Sequence, residues 1–270
     1  MTSELPVIVP DWPAPSWVHA ACTTRMGGVS QAPWQSLNLG THVGDHPDDV
    51  AKNRSLLGRW AEPGAQSFGW LNQVHGTDVV ELPQSGAVTA DASVTSQPGV
   101  ACVVMTADCL PVLFCNPASG QVAAAHAGWR GLCGGVLERT VEYLGNPAAV
   151  LAWLGPAIGP EQFEVGPEVR GAFLMNDSQS GDAFISNPRN PTHYLADIYE
   201  LARQRLAMAG VLQVYGGEFC TVTDRERFFL LSSRRANREN GKPDIHLMTF
   251  VNFLTLSRPV CLNSRQTPLH

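Results

Sequence analysis

Three short motifs, widely spaced along the chain, constrain the fold more than any other feature of the sequence. Each motif combines a histidine or cysteine with residues that turn the backbone; they are Asn72-Gln73-Val74-His75-Gly76, Ala107-Asp108-Cys109-Leu110-Pro111 and His126-Ala127-Gly128-Trp129-Arg130-Gly131. His75, Cys109 and His126 stand 34 and 17 positions apart, so neither one turn nor one helix can bring them together. If the three side chains share a site, only the packing of several strands can assemble it.

The residue types in these motifs are those of a metal site. Two imidazoles and one thiolate match a catalytic zinc site, which has three protein ligands and keeps a fourth position for water or substrate. Asp108 is adjacent to Cys109, where its carboxylate could orient a ligand or transfer protons. The motifs therefore predict His75, Cys109 and His126 as metal ligands, with Cys109 and Asp108 as catalytic candidates.

The same residues also admit interpretations without metal catalysis. Cys109 with His75 or His126 would form a nucleophilic Cys–His dyad, which would make the protein a hydrolase or deamidase. In a third interpretation the protein binds a metal but catalyses no reaction. A lone cysteine on an apolar strand is also commonly a core residue, and sequence spacing does not separate these alternatives.

Three arginines are candidates for binding an anionic group of a substrate. Arg25 lies in a tight glycine-containing turn at 23–30, where its guanidinium and the glycine amides could face one anion. Arg54 falls in a predicted helix, where contact with solvent or with a helix end is the alternative role. Arg130 follows His126 by four residues, in a glycine-rich turn that leads to a helix. A surface arginine in a turn is the alternative for Arg25 and Arg130.

Composition excludes several classes of partner. The net charge is −6, and no dense Lys/Arg cluster precedes residues 225–238, so we expect no nucleic-acid partner. No apolar run approaches the roughly 20 residues of a membrane span, and the N-terminus lacks a secretory signal. The seven cysteines include no CxxC pair, which suits a reducing compartment. We therefore expect a cytoplasmic, monomeric protein without a membrane partner.

Short apolar runs punctuated by glycine and proline predict many strands with helices between them. At 270 residues, 44% of them hydrophobic, the chain can bury a sizeable core. The predicted strands are 17–24, 68–74, 78–82, 100–106, 112–115, 121–126, 150–154, 212–215 and 228–231. The predicted helices are 47–61 with Asp45 as its cap, 132–144, 168–175 and 195–209.

The order of these motifs resembles the YfiH/laccase-domain family of purine nucleoside phosphorylases, long labelled polyphenol oxidases. The resemblance covers roughly residues 17 to 235 and, besides the three ligand motifs, includes 23–30, 36–45, 53–54, 155–159, 228–229 and 233–235. It implies an α+β fold, an α/β/β/α sandwich of mixed β-sheets that forms a single domain over residues 1–270. It also implies zinc on His75, Cys109 and His126, and Arg25 matches the family's important arginine.

The resemblance further implies phosphorolysis of adenosine, inosine, guanosine and methylthioadenosine, together with hydrolytic deamination of adenosine. Phosphorolysis requires an anion pocket that holds phosphate against the anomeric carbon, and Arg25, Arg54 and Arg130 are the candidates for it. Deamination requires an activated water at the purine C6, which zinc with an open position can provide. The older label implies copper, but the eight histidines include no His-x-His pair, so zinc is the expected cofactor.

Residues from about 236 onward depart from the family pattern. Members continue after the Arg-Arg pair into a Thr-Gly-Arg-Met-Ala strand, whereas this chain continues as Asn240-Gly241-Lys242-Pro243-Asp244-Ile245. Loss of a final strand would expose a sheet edge. We therefore assign no functional residues to this atypical tail.

Overall fold

Two β-sheets stacked face to face form the centre of the protein, in a computed structural model that describes residues 5–62, 64–229 and 250–256. The five-stranded sheet contains, in spatial order, β1 (Val7–Ile8), β2 (Val18–Thr23), β16 (Phe250–Leu256), β8 (Val100–Thr106) and β3 (Ser67–Gly69). The six-stranded sheet contains β15 (Gln213–Gly216), β11 (Leu151–Leu154), β9 (Leu110–Asn116), β10 (Gln121–Ala127), β7 (Ala92–Thr95) and β5 (Val79–Glu81). Each sheet includes both parallel and antiparallel pairs, so both are mixed.

Helices cover the outer faces of the two sheets. Helix α1 (Pro47–Ala61) packs on the five-stranded sheet, where Leu57 joins a cluster with Ala21 and Val103. The six-stranded sheet is covered by α2 (Trp129–Gly134), α3 (Val136–Leu144), α4 (Pro167–Asn176) and α5 (Ile198–Met208). Two 3-10 helices, Pro147–Ala149 and Ser178–Ala183, lie in connections. In the part of the chain that the structure describes, no helix is both long and apolar enough to cross a membrane.

Smaller sheets complete the architecture. Strands β4 (Leu71–Asn72) and β6 (Val88–Thr89) form a parallel pair, and β4 ends on Asn72, the first residue of the His75 motif. Strands β12 (Glu164–Val165), β14 (Tyr194–Ala196) and β13 (Phe184–Ser186) form a three-stranded antiparallel sheet.

The core between the two large sheets confirms the predicted α/β/β/α sandwich. Trp153 and Leu113 of the six-stranded sheet pack against Cys102 and Val104 of the five-stranded sheet, and all four are buried. Because each large sheet is covered on both faces, its central strands are buried throughout, as in β8, β9 and β11. This double burial explains why these strands are continuous apolar runs in the sequence rather than alternating patterns.

Several predicted element boundaries are wrong, each for a local reason. The predicted helix 132–144 is two helices, because Gly135 adopts a left-handed conformation with φ 99°. The predicted helix 195–209 begins only at Ile198, where the Asp197 side chain accepts hydrogen bonds from two backbone amides. Asp45 does not cap α1; its carboxylate instead accepts hydrogen bonds from Ser30 and Asn38.

The final described strand changes the expectation for the tail. Phe250–Leu256 forms β16, which pairs with β2 on one side and β8 on the other and so lies inside the five-stranded sheet. The described residues thus include a late strand in this sheet, whose loss would have exposed an edge. Phe228 and Phe229 are buried but lie outside any strand, and the remainder of the predicted strand 228–231 lies outside the described residues, as do the 233–235 motif and the tail from about 236 to 249.

Candidate metal centre

The register of one β-hairpin brings Cys109 and His126 together. Strands β9 and β10 are antiparallel, with Leu110 opposite Ala127 and Pro111 opposite His126. The Asn116 side chain accepts a hydrogen bond of 3.0 Å from Ala118 N and so stabilises the turn between them. Cys109 directly precedes β9, so the hairpin converts a separation of 17 positions into a contact at one end of the sheet.

His75 reaches the same end of the sheet on an anchored loop that follows β4. The Asn72 side chain donates to the Thr89 hydroxyl at 3.0 Å. The Gln73 amide forms two hydrogen bonds with the Met105 backbone, donating to its carbonyl at 2.8 Å and accepting from its N–H at 2.7 Å. His75 itself has a left-handed backbone with φ 60°. The polar residues of the motif therefore fix the loop that carries the imidazole.

The three predicted ligands converge to the dimensions of a metal site. The ligand atoms of His75, Cys109 and His126 all lie within 4.8 Å of one another. Among residues 5–62, 64–229 and 250–256, this is the one group of three or more His, Cys, Asp or Glu side chains that could hold a metal ion. The Cys109 Sγ lies 3.7 Å from the His75 Nε2. In a tetrahedral zinc site the ligand atoms are roughly 3.3–3.8 Å apart, so the donor set and the Cys109–His75 distance fit this ion. A thiolate and two imidazoles also accept copper or nickel.

A fourth residue, Asp91, supports both histidines and was missed by the sequence analysis. Its side chain is fully buried, and its carboxylate lies 2.8 Å from the His126 Nδ1. The same carboxylate accepts backbone N–H bonds from Val74, His75 and Gly76 at 3.2, 2.9 and 2.6 Å. A single acidic residue at the head of the apolar strand β7 is the sequence signal that could have identified it.

Electrostatic interactions at the site favour the charged forms of Cys109, His126 and Asp91. Burial acts to raise the pKa of the Cys109 thiol, but hydrogen bonds with His126 and His75 lower it to about 6. Burial acts to lower the pKa of His126, but hydrogen bonds with Asp91 and Cys109 raise it to about 9. For Asp91, hydrogen bonds from His126 and the Gly76 amide outweigh burial and lower the pKa of the carboxyl. The lowered pKa favours the thiolate form of Cys109, which is the form that binds metals.

Exposure differs among the three candidate ligands. His126 is buried, Cys109 is partly buried and His75 is exposed. The group therefore opens to solvent on the His75 side, which leaves an approach for a small substrate.

Asp108 connects the cysteine motif to two loops. Its carboxylate accepts a hydrogen bond of 2.8 Å from the Thr221 hydroxyl, and its backbone carbonyl accepts one of 3.0 Å from Ile158 N. The carboxylate bonded to His126 is that of Asp91. The catalytic role of Asp108 stays a prediction.

Arg25 lies at the wall of a surface cavity of about 580 Å³. Its Nε and Nη2 donate to the Gln35 carbonyl at 3.1 and 2.9 Å, and its Nη1 donates to the Arg225 carbonyl at 3.2 Å. The guanidinium also packs over the Phe229 ring at 5.0 Å. The cavity is lined in addition by Met26, Ser36 and Glu226. Three of the five guanidinium N–H groups thus hold the side chain in place, and two remain for a ligand.

The other two arginines pack on aromatic rings. The Arg54 guanidinium lies 3.7 Å from the centre of the Trp70 ring, and its Nε donates to the Leu39 carbonyl at 3.0 Å. Arg130 is exposed at the start of α2, with its guanidinium 4.5 Å from the Trp129 ring centre. Both are cation–π contacts, and substrate binding by Arg54 and Arg130 stays a prediction.

Gly128 leaves the space that the candidate ligands occupy. A Cβ atom at this position would lie 2.7 Å from the His75 Cδ2 and 3.0 Å from the Cys109 Sγ. We expect Gly128→Ala to displace both side chains and to weaken zinc binding about tenfold, within the range found when the surroundings of metal ligands are changed. Competition with a chromogenic chelator measures this affinity.

Gly58→Ala is the matched control for this substitution. A Cβ at Gly58 meets nothing within 4 Å, and the residue lies inside α1. We expect unchanged zinc affinity and a free energy of unfolding higher by about 0.5–1 kcal/mol, because alanine loses less backbone entropy in a helix. Wild-type zinc affinity in Gly128→Ala would contradict the close approach of the His75 and Cys109 side chains to Gly128.

Comparisons with known proteins identify relatives of this chain. The sequence model of a family described as "Multi-copper polyphenol oxidoreductase laccase" matches residues 19–248. The chain is 54% identical over 239 residues to "Purine nucleoside phosphorylase YfiH" of Escherichia coli K12, covering 87% of this chain and 96% of that protein. It is 55% identical over 232 residues to "Purine nucleoside phosphorylase PA4543" of Pseudomonas aeruginosa, covering 86% and 93%.

Solved structures show the same fold. The crystal structure of Neisseria meningitidis protein NMB0706 superposes with a TM-score of 0.83 at 44% identity, covering 93% of this chain and 99% of that one. YlmD from Geobacillus stearothermophilus gives a TM-score of 0.80 at 29% identity, covering 94% and 100%. The chain therefore belongs to the YfiH/laccase-domain family, whose sequence model bears the description of a multi-copper polyphenol oxidoreductase laccase.

Proposed function

We propose that this protein is a zinc-dependent purine nucleoside phosphorylase that accepts adenosine, inosine, guanosine and methylthioadenosine and also deaminates adenosine. The observation that carries the proposal is the convergence of His75, Cys109 and His126, with ligand atoms within 4.8 Å of one another and one ligand exposed. Three protein ligands are the number found in catalytic zinc sites. Relatives named purine nucleoside phosphorylase, matched over at least 93% of their length, support the substrate class.

The residues of the chain have distinct tasks in this proposal. Bound zinc supplies a Lewis acid and lowers the pKa of water toward neutrality. His75, Cys109 and His126 hold the ion, and Asp108 is the candidate for proton transfer beside Cys109. Arg25 holds phosphate through its two remaining N–H groups, since its other N–H groups already bond to the carbonyls of Gln35 and Arg225.

One segment, residues 220–229, contacts both parts of the proposed site. Its Thr221 bonds to Asp108, which is adjacent to Cys109. The carbonyl of Arg225 accepts from the Arg25 guanidinium, and the carbonyl of Arg227 accepts from the Arg25 backbone amide at 2.8 Å. These contacts support the assignment of the anion cavity and the candidate metal ligands to a single catalytic region.

Turnover of adenosine tests the proposal directly. Zinc-loaded protein is incubated with adenosine, with and without phosphate, and the products are separated by chromatography. We expect adenine and ribose 1-phosphate only with phosphate, and inosine without it. If neither adenine nor inosine forms, the proposed function is wrong.

A metal-free Cys–His hydrolase is the second candidate function. It is favoured by the 3.7 Å distance between the Cys109 Sγ and the His75 Nε2 and by the lowered pKa of the Cys109 thiol. This alternative predicts activity that survives chelation and covalent trapping of Cys109 by a thiol-reactive substrate analogue. Loss of turnover after chelation and its return with zinc would exclude it.

Copper-dependent polyphenol oxidation is the remaining alternative, and the family description keeps copper as a possible metal. The described residues bring together one group of three ligands, whereas multi-copper chemistry uses several copper ions. Reconstitution with copper in place of zinc, followed by assays with a phenol and with adenosine, distinguishes copper-dependent phenol oxidation from zinc-dependent turnover of adenosine. A cytoplasmic location and a monomeric state stay predictions.

A further inference from the structure

We propose that Asp91 is the positioning residue of this centre, a single buried carboxylate that sets the orientation of both His75 and His126. The proposal rests on the metal centre of the proposed function, but it does not depend on nucleoside chemistry. It assigns to Asp91 the role of aligning two ligands that come from separate parts of the fold.

The hydrogen bonds of Asp91 leave no acceptor position unused. Its Oδ1 binds the His126 Nδ1 at 2.8 Å and the His75 amide at 2.9 Å. Its Oδ2 accepts from the Gly76 amide at 2.6 Å and the Val74 amide at 3.2 Å. A carboxylate has about four lone-pair positions, so all are used by groups of the candidate centre.

The contact with His126 fixes which ring nitrogen is free. An ionised carboxylate can only accept hydrogen bonds, so the His126 Nδ1 carries a proton and donates it to Asp91. When a metal binds, the second ring proton is lost, and the lone pair available to the metal is then the one on Nε2. A hydrogen bond from the far nitrogen to a carboxylate is a general way in which proteins orient metal-binding histidines.

The contacts with the 74–76 loop fix the second ligand. Three successive amides point at one carboxylate, and between them His75 adopts φ 60°, which is uncommon for a residue other than glycine. The negative charge of Asp91 compensates for this conformation. His75 is exposed, and its imidazole meets the His126 ring edge-on with ring centroids 4.7 Å apart, so the backbone that Asp91 holds sets how the imidazole approaches that ring.

The position of Asp91 in the six-stranded sheet explains how one residue reaches both ligands. Asp91 precedes β7, which pairs with β10, and the Asp91 carbonyl accepts a hydrogen bond of 2.7 Å from the His126 amide. Its backbone is thus held beside His126, while its side chain reaches the loop after β4. The two histidines are aligned before any metal binds.

Asp91→Asn is the informative variant, because it keeps the size of the side chain. The amide carbonyl can keep the acceptor position shared by His126 and His75, but the NH₂ group then faces the amides of Val74 and Gly76. Two donors face each other, so the loop must move and the His75 imidazole moves with it. We expect zinc affinity, measured by chelator competition, to fall about 10- to 100-fold.

Cobalt(II) absorption provides a readout that a purely structural role would not change. In wild type at saturating cobalt we expect the intense ligand-field bands of tetrahedral coordination with a thiolate ligand, and in Asp91→Asn weaker bands, because the ligand geometry is disturbed. Asp78→Asn is the matched control, since Asp78 is 78% exposed and paired with Arg139. We expect wild-type zinc affinity and spectrum in this control.

Two outcomes would overturn the proposal. If either the zinc affinity or the cobalt spectrum of folded Asp91→Asn equals that of wild type, Asp91 does not position the ligands. If the variant does not fold, nitrogen NMR of metal-free wild type is the deciding measurement. We expect a proton on the His126 Nδ1 and slow exchange of the backbone amides of residues 74–76. A His126 ring protonated on Nε2 alone would overturn the assignment. Neither result depends on whether adenosine is turned over.

Discussion

Replacing Cys109 with alanine is expected to remove zinc from the purified protein and to abolish both phosphate-dependent adenine release and inosine formation. Cys109 is the single thiolate of the candidate centre, and the two histidines that remain are too few ligands for a stable zinc site. We expect zinc affinity to fall by at least about 100-fold, since removing a ligand has a larger effect than changing its surroundings. Metal analysis and adenosine turnover are measured on the same preparation.

Cys133→Ala is the matched control for this variant. Cys133 is also partly exposed and lies on α2, close to the third motif in sequence. Its sulfur accepts a hydrogen bond from the Asn176 side chain and is not part of the ligand group. We expect wild-type zinc content and turnover in Cys133→Ala. Phosphate-dependent adenine release by zinc-free Cys109→Ala would show that the centre is not needed for the reaction.

Replacing Arg25 with alanine is expected to lower the phosphorolytic kcat/KM for phosphate by about 100-fold while zinc content stays unchanged. Hydrogen bonds to charged groups contribute about 1.5–3 kcal/mol each, and Arg25 has two N–H groups left for a phosphate oxygen. Deamination does not use phosphate, so inosine formation should be retained. Initial rates at varied phosphate, with inosine formation measured in parallel, separate the two effects.

Arg25→Lys and Arg139→Ala refine this test. Lysine keeps the positive charge but lacks the planar guanidinium with its paired N–H donors. We therefore expect Arg25→Lys to recover only part of the kcat/KM for phosphate that Arg25→Ala loses. Arg139 is a half-exposed arginine paired with Asp78, and its replacement should change neither reaction. An equal loss of adenine and inosine formation in Arg25→Ala would instead indicate that Arg25 supports the structure, through its bonds to Gln35 and Arg225.

The central strands and the candidate ligands could be predicted because their signals are local. A strand buried on both faces is mostly apolar, and the sequences of β8, β9 and β11 show this directly. Histidine and cysteine are recognisable as metal ligands by residue type alone. Glycine and proline beside them indicated turns of the backbone.

The helix break at Gly135 and the place of β16 could not be predicted in the same way. A glycine within an amphipathic pattern is compatible with a continuous helix, and only the packing of α2 and α3 as separate helices requires the left-handed conformation. The pairing of β16 with β2 and β8 joins segments more than 140 positions apart. No periodicity within either segment specifies its partner.

The sequence by itself determined the composition of this protein's candidate centre, the α/β/β/α layering and the family to which the chain belongs. The composition of the centre follows from residue types, and the buried strands follow from hydrophobic runs; both are properties of short segments. The layering and the family were implied by the resemblance of the ordered motifs. Only the tertiary structure decided which carboxylate supports the histidines. Asp108 is adjacent to a candidate ligand in sequence, but Asp91, which is 35 positions from His126, contacts it, because the antiparallel pairing of β7 and β10 places them side by side.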